Sequence, residues 1–89
     1  MKRNEPKSNP RLKAAFLEVV ENQLRDNDPP ETGETLARLV TEGHTAEDAR
    51  LLIAQAVAVE VRTVLSTQHP FNRERFLRNL KALPMEPKA

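Results

Sequence analysis

The chain has 89 residues, 30% of them charged and 38% hydrophobic, and its formal net charge at pH 7 is +1. A chain of this length forms one domain at most, and the absence of Cys excludes disulfides and thiolate chemistry. The longest apolar run, residues 51–61, is interrupted by Gln55 and Glu60. It is too short to cross a membrane, which takes about 20 residues.

The charges are distributed unevenly along the chain. The net charge is +4 over residues 1–13 (five basic, one acidic), −7 over residues 14–61 (three basic, ten acidic) and +4 over residues 62–89 (six basic, two acidic). Such asymmetry is typical of a dedicated anion-binding surface. It is more typical of basic ends that lie near an acidic middle, which is the interpretation that the sequence favours.

The first predicted element is a helix that starts near Asn9. Residues 1–8 are polar and are predicted to form a disordered tail. Asn9 is a good helix cap, and Pro10 suits the first helical position. Apolar residues then recur at helical spacing and predict a helix to about Asp26 with one face toward the core. Gln23 falls near the middle of that face and is a candidate buried polar residue.

A second helix is predicted for residues 30–42. Two consecutive prolines end the first helix, and Asp28, directly before them, is the predicted cap of the second. Gly43 predicts the end of this helix because glycine tolerates the left-handed conformation there. The predicted core-facing residues are Leu36, Leu39 and Val40.

The third helix is predicted for residues 46–67. Thr45 and Asp48 form a shortened capping box, and no Gly or Pro follows until Pro70. β-Branched residues at alternate positions of 57–61 favour a strand locally. The strong helix start upstream and the interspersed alanines favour a helix of about 22 residues, ~33 Å long.

This third helix is apolar around most of its circumference. Its polar stripe is narrow and consists of Asp48, Gln55, Arg62 and Ser66. A helix of this kind is a buried helix, so the sequence predicts that it is the central element of a small bundle. Leu51 and Val59 lie beside the polar stripe. They are candidate interface residues, because the shorter helices cannot cover the third helix on all sides.

Glu60 falls close to the centre of the apolar face of the third helix and is the second candidate buried polar residue. A buried carboxylate needs a partner, since a stranded charge costs several kcal/mol. The candidate partners are Gln23, an arginine such as Arg38 or Arg75, or a loop amide. The alternative is a ligand-binding or catalytic carboxylate.

The fourth helix is predicted to start after Asn72. Asn72 is its cap, and Phe71 and Phe76 have the spacing of a hydrophobic staple across that cap. The basic residues of this helix point largely outward and form a candidate anion-binding surface: Arg73, Arg75, Arg78 and Lys81. The ordered domain is predicted to span residues 9–84, with a second disordered tail at residues 85–89.

Several short stretches resemble a family of small bacterial helical proteins, a domain of unknown function. These stretches are Glu21-Asn22-Gln23-Leu24-Arg25, Asp28-Pro29-Pro30-Glu31-Thr32, Glu42-Gly43-His44, Pro70-Phe71-Asn72 and Leu83-Pro84. The resemblance covers about residues 14–84, and Gly33 departs from it. It implies a small bacterial helical protein and brings no activity, substrate or cofactor.

No constellation in the sequence indicates catalysis, a metal or a cofactor. Both serines lack a glycine elbow and a paired base, and the two glycines are too far apart for a phosphate-binding loop. His44 and His69 are too few for a zinc site without Cys. The sequence therefore predicts a non-enzyme without cofactors.

The sequence predicts an all-α protein, a small four-helix bundle around a long central third helix. Its expected role is that of a cytoplasmic protein-interaction or structural module, with another protein or a second copy of itself as the partner. The alternative is a nucleic-acid-associated protein that uses the basic fourth helix. The second and third helices have the outline of a DNA-binding helix pair, but Glu47 and Asp48 in the first turn of the third helix would repel phosphates. No membrane partner is expected.

Overall fold

In the computed structural model, which describes residues 10–89, the chain is an all-α bundle built around its third helix. The four helices of this part of the chain are α1 (Pro10–Asp26), α2 (Pro30–Thr41), α3 (Ala46–Thr67) and α4 (Arg73–Ala82). α3 packs against each of the other three helices. The predicted fold class and the predicted bounds of α3 are thereby confirmed.

The turn between α1 and α2 is formed by Asn27, which adopts a left-handed conformation with φ 52°. The N–H groups of Asn27 and Asp28 donate to the carbonyls of Leu24 and Gln23, which is the Schellman pattern. The prediction that Asp28 caps α2 is wrong. Its backbone closes α1 instead, and Pro29 occupies the cap position of α2 without a side-chain hydrogen bond.

The turn between α2 and α3 follows the prediction at Gly43 and at the Thr45 cap, whereas only one of the two bonds of the predicted capping box forms. Gly43 has φ 109°, and the N–H groups of Gly43 and His44 donate to the carbonyls of Val40 and Leu39. The hydroxyl of Thr45 then accepts from the amide of Asp48 at 3.0 Å. One tight turn therefore both ends α2 and starts α3.

The buried core is centred on α3. The fully buried apolar residues include Val20, Leu39, Ala49, Ile53, Ala56, Val57 and Phe76. The predicted polar stripe of α3 is exposed along its whole length. From residue 61 onward no residue of α3 is buried, and Leu65 is 75% exposed. The last two turns of α3 are therefore less covered than the turns before them, although Val61 still packs against the core.

The start of α4 combines a cap and a staple, as predicted. The Asn72 side chain accepts from the amide of Arg75 at 2.9 Å. The rings of Phe71 and Phe76 meet edge to face with centroids 5.4 Å apart. Phe76 is fully buried, so this contact anchors the entry of α4 in the core.

Residues 85–89 fold back onto the bundle, which differs from the prediction of a disordered tail. The backbone of Lys88 exchanges two hydrogen bonds with the side chain of Asn79. The physical reason is a buried amide in α4 that needs partners, which the composition of the tail does not reveal. The predicted tail at residues 1–8 and the cap at Asn9 lie outside the described residues.

Three predictions of exposure or burial need correction. Val59 is buried, with 7% of its surface exposed, because Pro87 and Ala89 return beside it and line the same groove. Leu51 is half-buried. Val40, predicted to face the core, is 45% exposed, since it lies in the last turn of α2 on the solvent side of Leu39.

Candidate functional site

The side chain of Glu60 is fully buried in α3 and is held by residues from the start of α4. Its Oε2 accepts from Nε of Arg75 at 2.6 Å, and its Oε1 accepts from Nη2 of Arg75 at 3.0 Å. The backbone N–H of Asn72 donates to the same Oε1 at 3.0 Å. Glu60, Asn72 and Arg75 are together called the Glu60 cluster.

The cluster keeps Glu60 ionised. Burial alone raises the pKa of a carboxyl group, but the hydrogen bonds from Arg75 and Asn72 and the positive charges of Arg75 and Arg78 outweigh it. The pKa of Glu60 therefore lies below its ordinary value. The hydrogen bond to Glu60 raises the pKa of Arg75 in return.

The Glu60 cluster joins α3 to the start of α4. Both carboxylate oxygens carry hydrogen bonds, and Glu60 has no solvent-accessible surface. The cluster fixes the start of α4 against α3, which corresponds to the structural alternative considered for Glu60.

The other candidate buried polar residue, Gln23, is half-buried and lies apart from the Glu60 cluster. Its Oε1 accepts from the hydroxyl of Thr32 at 2.8 Å. Thr32 is fully buried in the first turn of α2, so this bond ties the end of α1 to the start of α2. Gln23 and Glu60 are therefore two separate polar contacts.

The four basic residues of the predicted anion-binding surface do not form one open patch. Arg75 points inward and binds Glu60. The guanidinium of Arg73 lies 4.0 Å from one carboxylate oxygen of Asp28 and from one of Glu31. The two exposed residues that remain are Arg78 and Lys81.

A groove of about 710 Å³ runs between α2 and α4. Its charged lining residues are Glu31, Glu34, Arg38, Glu74, Arg78 and Lys81. Arg38 is fixed there by the Leu80 carbonyl at 3.0 Å and by both oxygens of Glu42 at 3.1 Å. Because the two signs of charge alternate, the groove has no strong preference for anions or cations. Within residues 10–89, no group of three His, Asp or Glu side chains could hold a metal ion.

The exposed large apolar residues form a different surface from the predicted one. Leu65 is 75% exposed and Phe71 is 46% exposed. Both belong to residues 65–71, which are called the α3–α4 corner. The candidate interface residues Leu51 and Val59 are more covered than either of them. Further exposed apolar residues are Leu12, Val40 and Met85.

Two residues with structural roles, Thr32 and Asn79, were not identified from the sequence, and Arg38 was named only as a possible partner of Glu60. Asn79 lies three residues after Phe76, on the buried face of α4, and only 5% of its surface is exposed. A polar residue at an apolar helical spacing is the signal that could have revealed it. The i,i+4 spacing of Arg38 and Glu42 is visible in the sequence, but the contacts of Arg38 with the carbonyls of Leu80 and Lys81 give no such signal, because they lie 42 and 43 residues further along the chain.

Comparison with known proteins finds no matching family model, no matching curated protein and no matching solved structure. The resemblance to a small bacterial family thus stays a prediction. Across the part of the chain that the structure describes, no helix combines the length and the hydrophobicity needed to cross a membrane.

Proposed function

We propose that this protein is a non-catalytic interaction or structural module of the cytoplasm, which binds another protein or a second copy of itself. The observation that carries the proposal is the exposure of Leu65 and Phe71 in the α3–α4 corner. Large apolar side chains that are exposed on a small domain are typical of an interface, and these two lie within one segment of seven residues. The lack of Cys fits a reducing compartment.

The Glu60 cluster supports this proposal in a second way. It holds the first turn of α4 and thereby the loop that carries Phe71. A contact surface built on a fixed loop loses less conformational entropy when a partner binds. The burial of this carboxylate, with a hydrogen bond on each oxygen, also supports a role without catalysis.

The test replaces Leu65 with lysine and compares it with Val40→Lys. Both residues lie near the end of a helix and are exposed, so both changes add the same charge at a similar position. We expect the mass of the wild-type protein and of Val40→Lys to rise with concentration in sedimentation experiments. Leu65→Lys should stay a monomer. Circular dichroism checks that both variants are folded. Substitutions at exposed positions usually change the free energy of unfolding by less than about 0.5 kcal/mol.

A monomer at every concentration would exclude the homodimer. The proposal then requires a different protein as the partner. That partner should bind to immobilised wild type and to immobilised Val40→Lys, but not to immobilised Leu65→Lys. If the partner binds equally to all three immobilised chains, the α3–α4 corner is not the interface.

The alternative function, association with nucleic acid through Arg73, Arg75, Arg78 and Lys81, has less support. Two of these four cations already face carboxylates. Heparin retention that falls steeply with salt would favour this alternative. We expect weak retention.

A further inference from the structure

One side of α3 carries three exposed polar residues at intervals of seven: Asp48, Gln55 and Arg62. Seven residues make nearly two helical turns, so the three side chains form one row that drifts by only about 20° per step. Within residues 10–89, none of these side chains forms a hydrogen bond or an ion pair. The row thus presents an anion, an amide and a cation that the rest of the described chain leaves unpaired.

This row is symmetric about Gln55 in position and opposite in charge at its two ends. With a rise of 1.5 Å per residue, Asp48 lies about 10.5 Å before Gln55, and Arg62 lies about 10.5 Å after it. A twofold axis that passes beside Gln55, perpendicular to α3, therefore brings position 48 of one copy opposite position 62 of the other. In such an interface every contact occurs twice.

A second copy in this antiparallel arrangement supplies partners for all three side chains. Asp48 of each copy faces Arg62 of the other, which gives two ion pairs. The two Gln55 side chains meet at the axis, where each amide can donate to the carbonyl oxygen of the other. A parallel arrangement would instead place Asp48 beside Asp48 and Arg62 beside Arg62. The charges therefore favour one direction and one register.

Two leucines beside the row supply apolar contact area. Leu51 is half-buried and Leu65 is 75% exposed, and helical spacing puts both on the same side of the row. The antiparallel register places Leu65 at the first turn of α3 in the second copy and Leu51 near its Ala58. Exposed ion pairs contribute little affinity, so the leucines account for the attraction and the charges for the orientation.

We propose that α3 pairs with α3 of a second copy in an antiparallel dimer whose twofold axis passes beside Gln55. This inference rests on the proposed function, since Leu65 belongs both to the α3–α4 corner and to this interface. It adds the identity of the partner and the register of the contact.

The first experiment uses a single cysteine, because the chain has none of its own. Gln55→Cys places the thiols of the two copies at the twofold axis, where they can reach each other. Ser66→Cys is the control, since position 66 is exposed on the same helix but lies about 33 Å from its own copy in this register. We expect Gln55→Cys to oxidise to a covalent dimer roughly tenfold faster, because its thiols have the higher effective concentration. Non-reducing electrophoresis measures both rates.

The second experiment exchanges the charges of the row. Asp48→Lys and Arg62→Glu should each weaken self-association roughly tenfold in sedimentation experiments, because each variant puts like charges at two symmetric contacts. An equimolar mixture of the two variants should regain the mass of the wild type, since every contact then joins opposite charges. Glu34→Lys and Lys81→Glu make the same charge changes at exposed positions of other helices and should leave the mass unchanged.

Equal oxidation rates of the two cysteine variants, or a mixture that associates as weakly as its components, would overturn the proposal. A wild type that is monomeric at every concentration would also overturn it, while the α3–α4 corner could still bind a different protein. If Leu65→Lys abolishes association but the charge variants do not, the corner is retained and this register is rejected. If Asp48→Lys does not fold, the comparison of Arg62→Glu with Lys81→Glu still decides, and equal masses of these two overturn the register.

Discussion

Glu60 shows how one buried charge can be tolerated in a small core. Its two oxygens receive three hydrogen bonds, from Asn72 and Arg75. Removal of one member of a buried pair is costly because the other member stays desolvated. The Glu21–Arg50 pair, with Glu21 53% exposed, is the matched exposed contact.

Replacement of Glu60 with glutamine should lower the free energy of unfolding by about 1–3 kcal/mol, because the amide nitrogen cannot accept from Arg75. Glu21→Gln, the control, should cost less than about 1 kcal/mol, since exposed ion pairs contribute little. Urea denaturation of both variants measures the difference. Equal effects of the two substitutions would contradict the structural role of Glu60.

The stability contributed by Glu60 should depend on pH in a defined direction. Its pKa is lower in the folded state than in the unfolded state, so the unfolded state binds the proton more readily. The contribution is fully present above the unfolded value of about 4.3 and is lost as the pH falls through the lower folded value. The difference in the free energy of unfolding between the wild type and Glu60→Gln should be constant near neutral pH and should shrink below about pH 4.3. Thermal denaturation as a function of pH measures this difference. A difference that grows as the pH falls would contradict a lowered pKa of Glu60 in the folded state.

At the scale of the elements, the two glycines of α2 and its following turn have opposite roles. Gly43 has φ 109°, whereas Gly33 lies within α2 and its φ is not positive. A Cβ at Gly33 would meet Leu24 Cδ2 at 4.0 Å, an ordinary contact, and a Cβ at Gly43 meets nothing. The difference between them is therefore one of backbone conformation and not of space.

Gly43→Ala should destabilise the protein by about 1–2 kcal/mol, because alanine is strained in the left-handed region. Gly33→Ala should stabilise it by about 0.5–1 kcal/mol, because alanine loses less entropy in a helix. The melting temperatures of the two variants should shift in opposite directions. A melting temperature of Gly43→Ala that does not fall would show that the turn does not require glycine at position 43.

The elements were more predictable than their contacts. The start of α3 at Thr45 and the staple of Phe71 and Phe76 depend on residues within a few positions of each other, so local chemistry reveals them. Asp28 failed as a cap because Asn27, one residue earlier, took the left-handed position usually given to glycine. The sequence contained both possibilities and did not rank them.

The candidate site was predicted in part. The apolar spacing of α3 predicts that Glu60 is buried, but the choice of Arg75 over Gln23 or Arg38 depends on how the α3–α4 loop closes. The burial of Val59 depends on a segment almost 30 positions later that returns to α3 through Asn79. Contacts between residues so far apart in the chain leave no periodic pattern in the sequence. For this reason the predicted interface included Val59, which is buried.

At the scale of the whole molecule, α3 sets the cooperativity of unfolding because each of the other helices packs on it. The amides of residues 53–60 should exchange only by global unfolding, with a free energy equal to that from urea denaturation. The amides of residues 62–67 should exchange at a lower free energy, since no residue there is buried. NMR-detected hydrogen exchange measures both sets, and residues 53–60 that exchange first would contradict the central position of α3.

The unequal exposure of the Glu60–Arg75 pair constrains how the protein can change over generations. Arg75 retains 17% side-chain exposure, whereas Glu60 has none. If Glu60 is replaced first, the long arginine side chain can turn its charge toward water. If Arg75 is replaced first, the carboxylate has no such escape. If this ion pair is lost during evolution, we therefore expect the substitution at position 60 to precede the substitution at position 75.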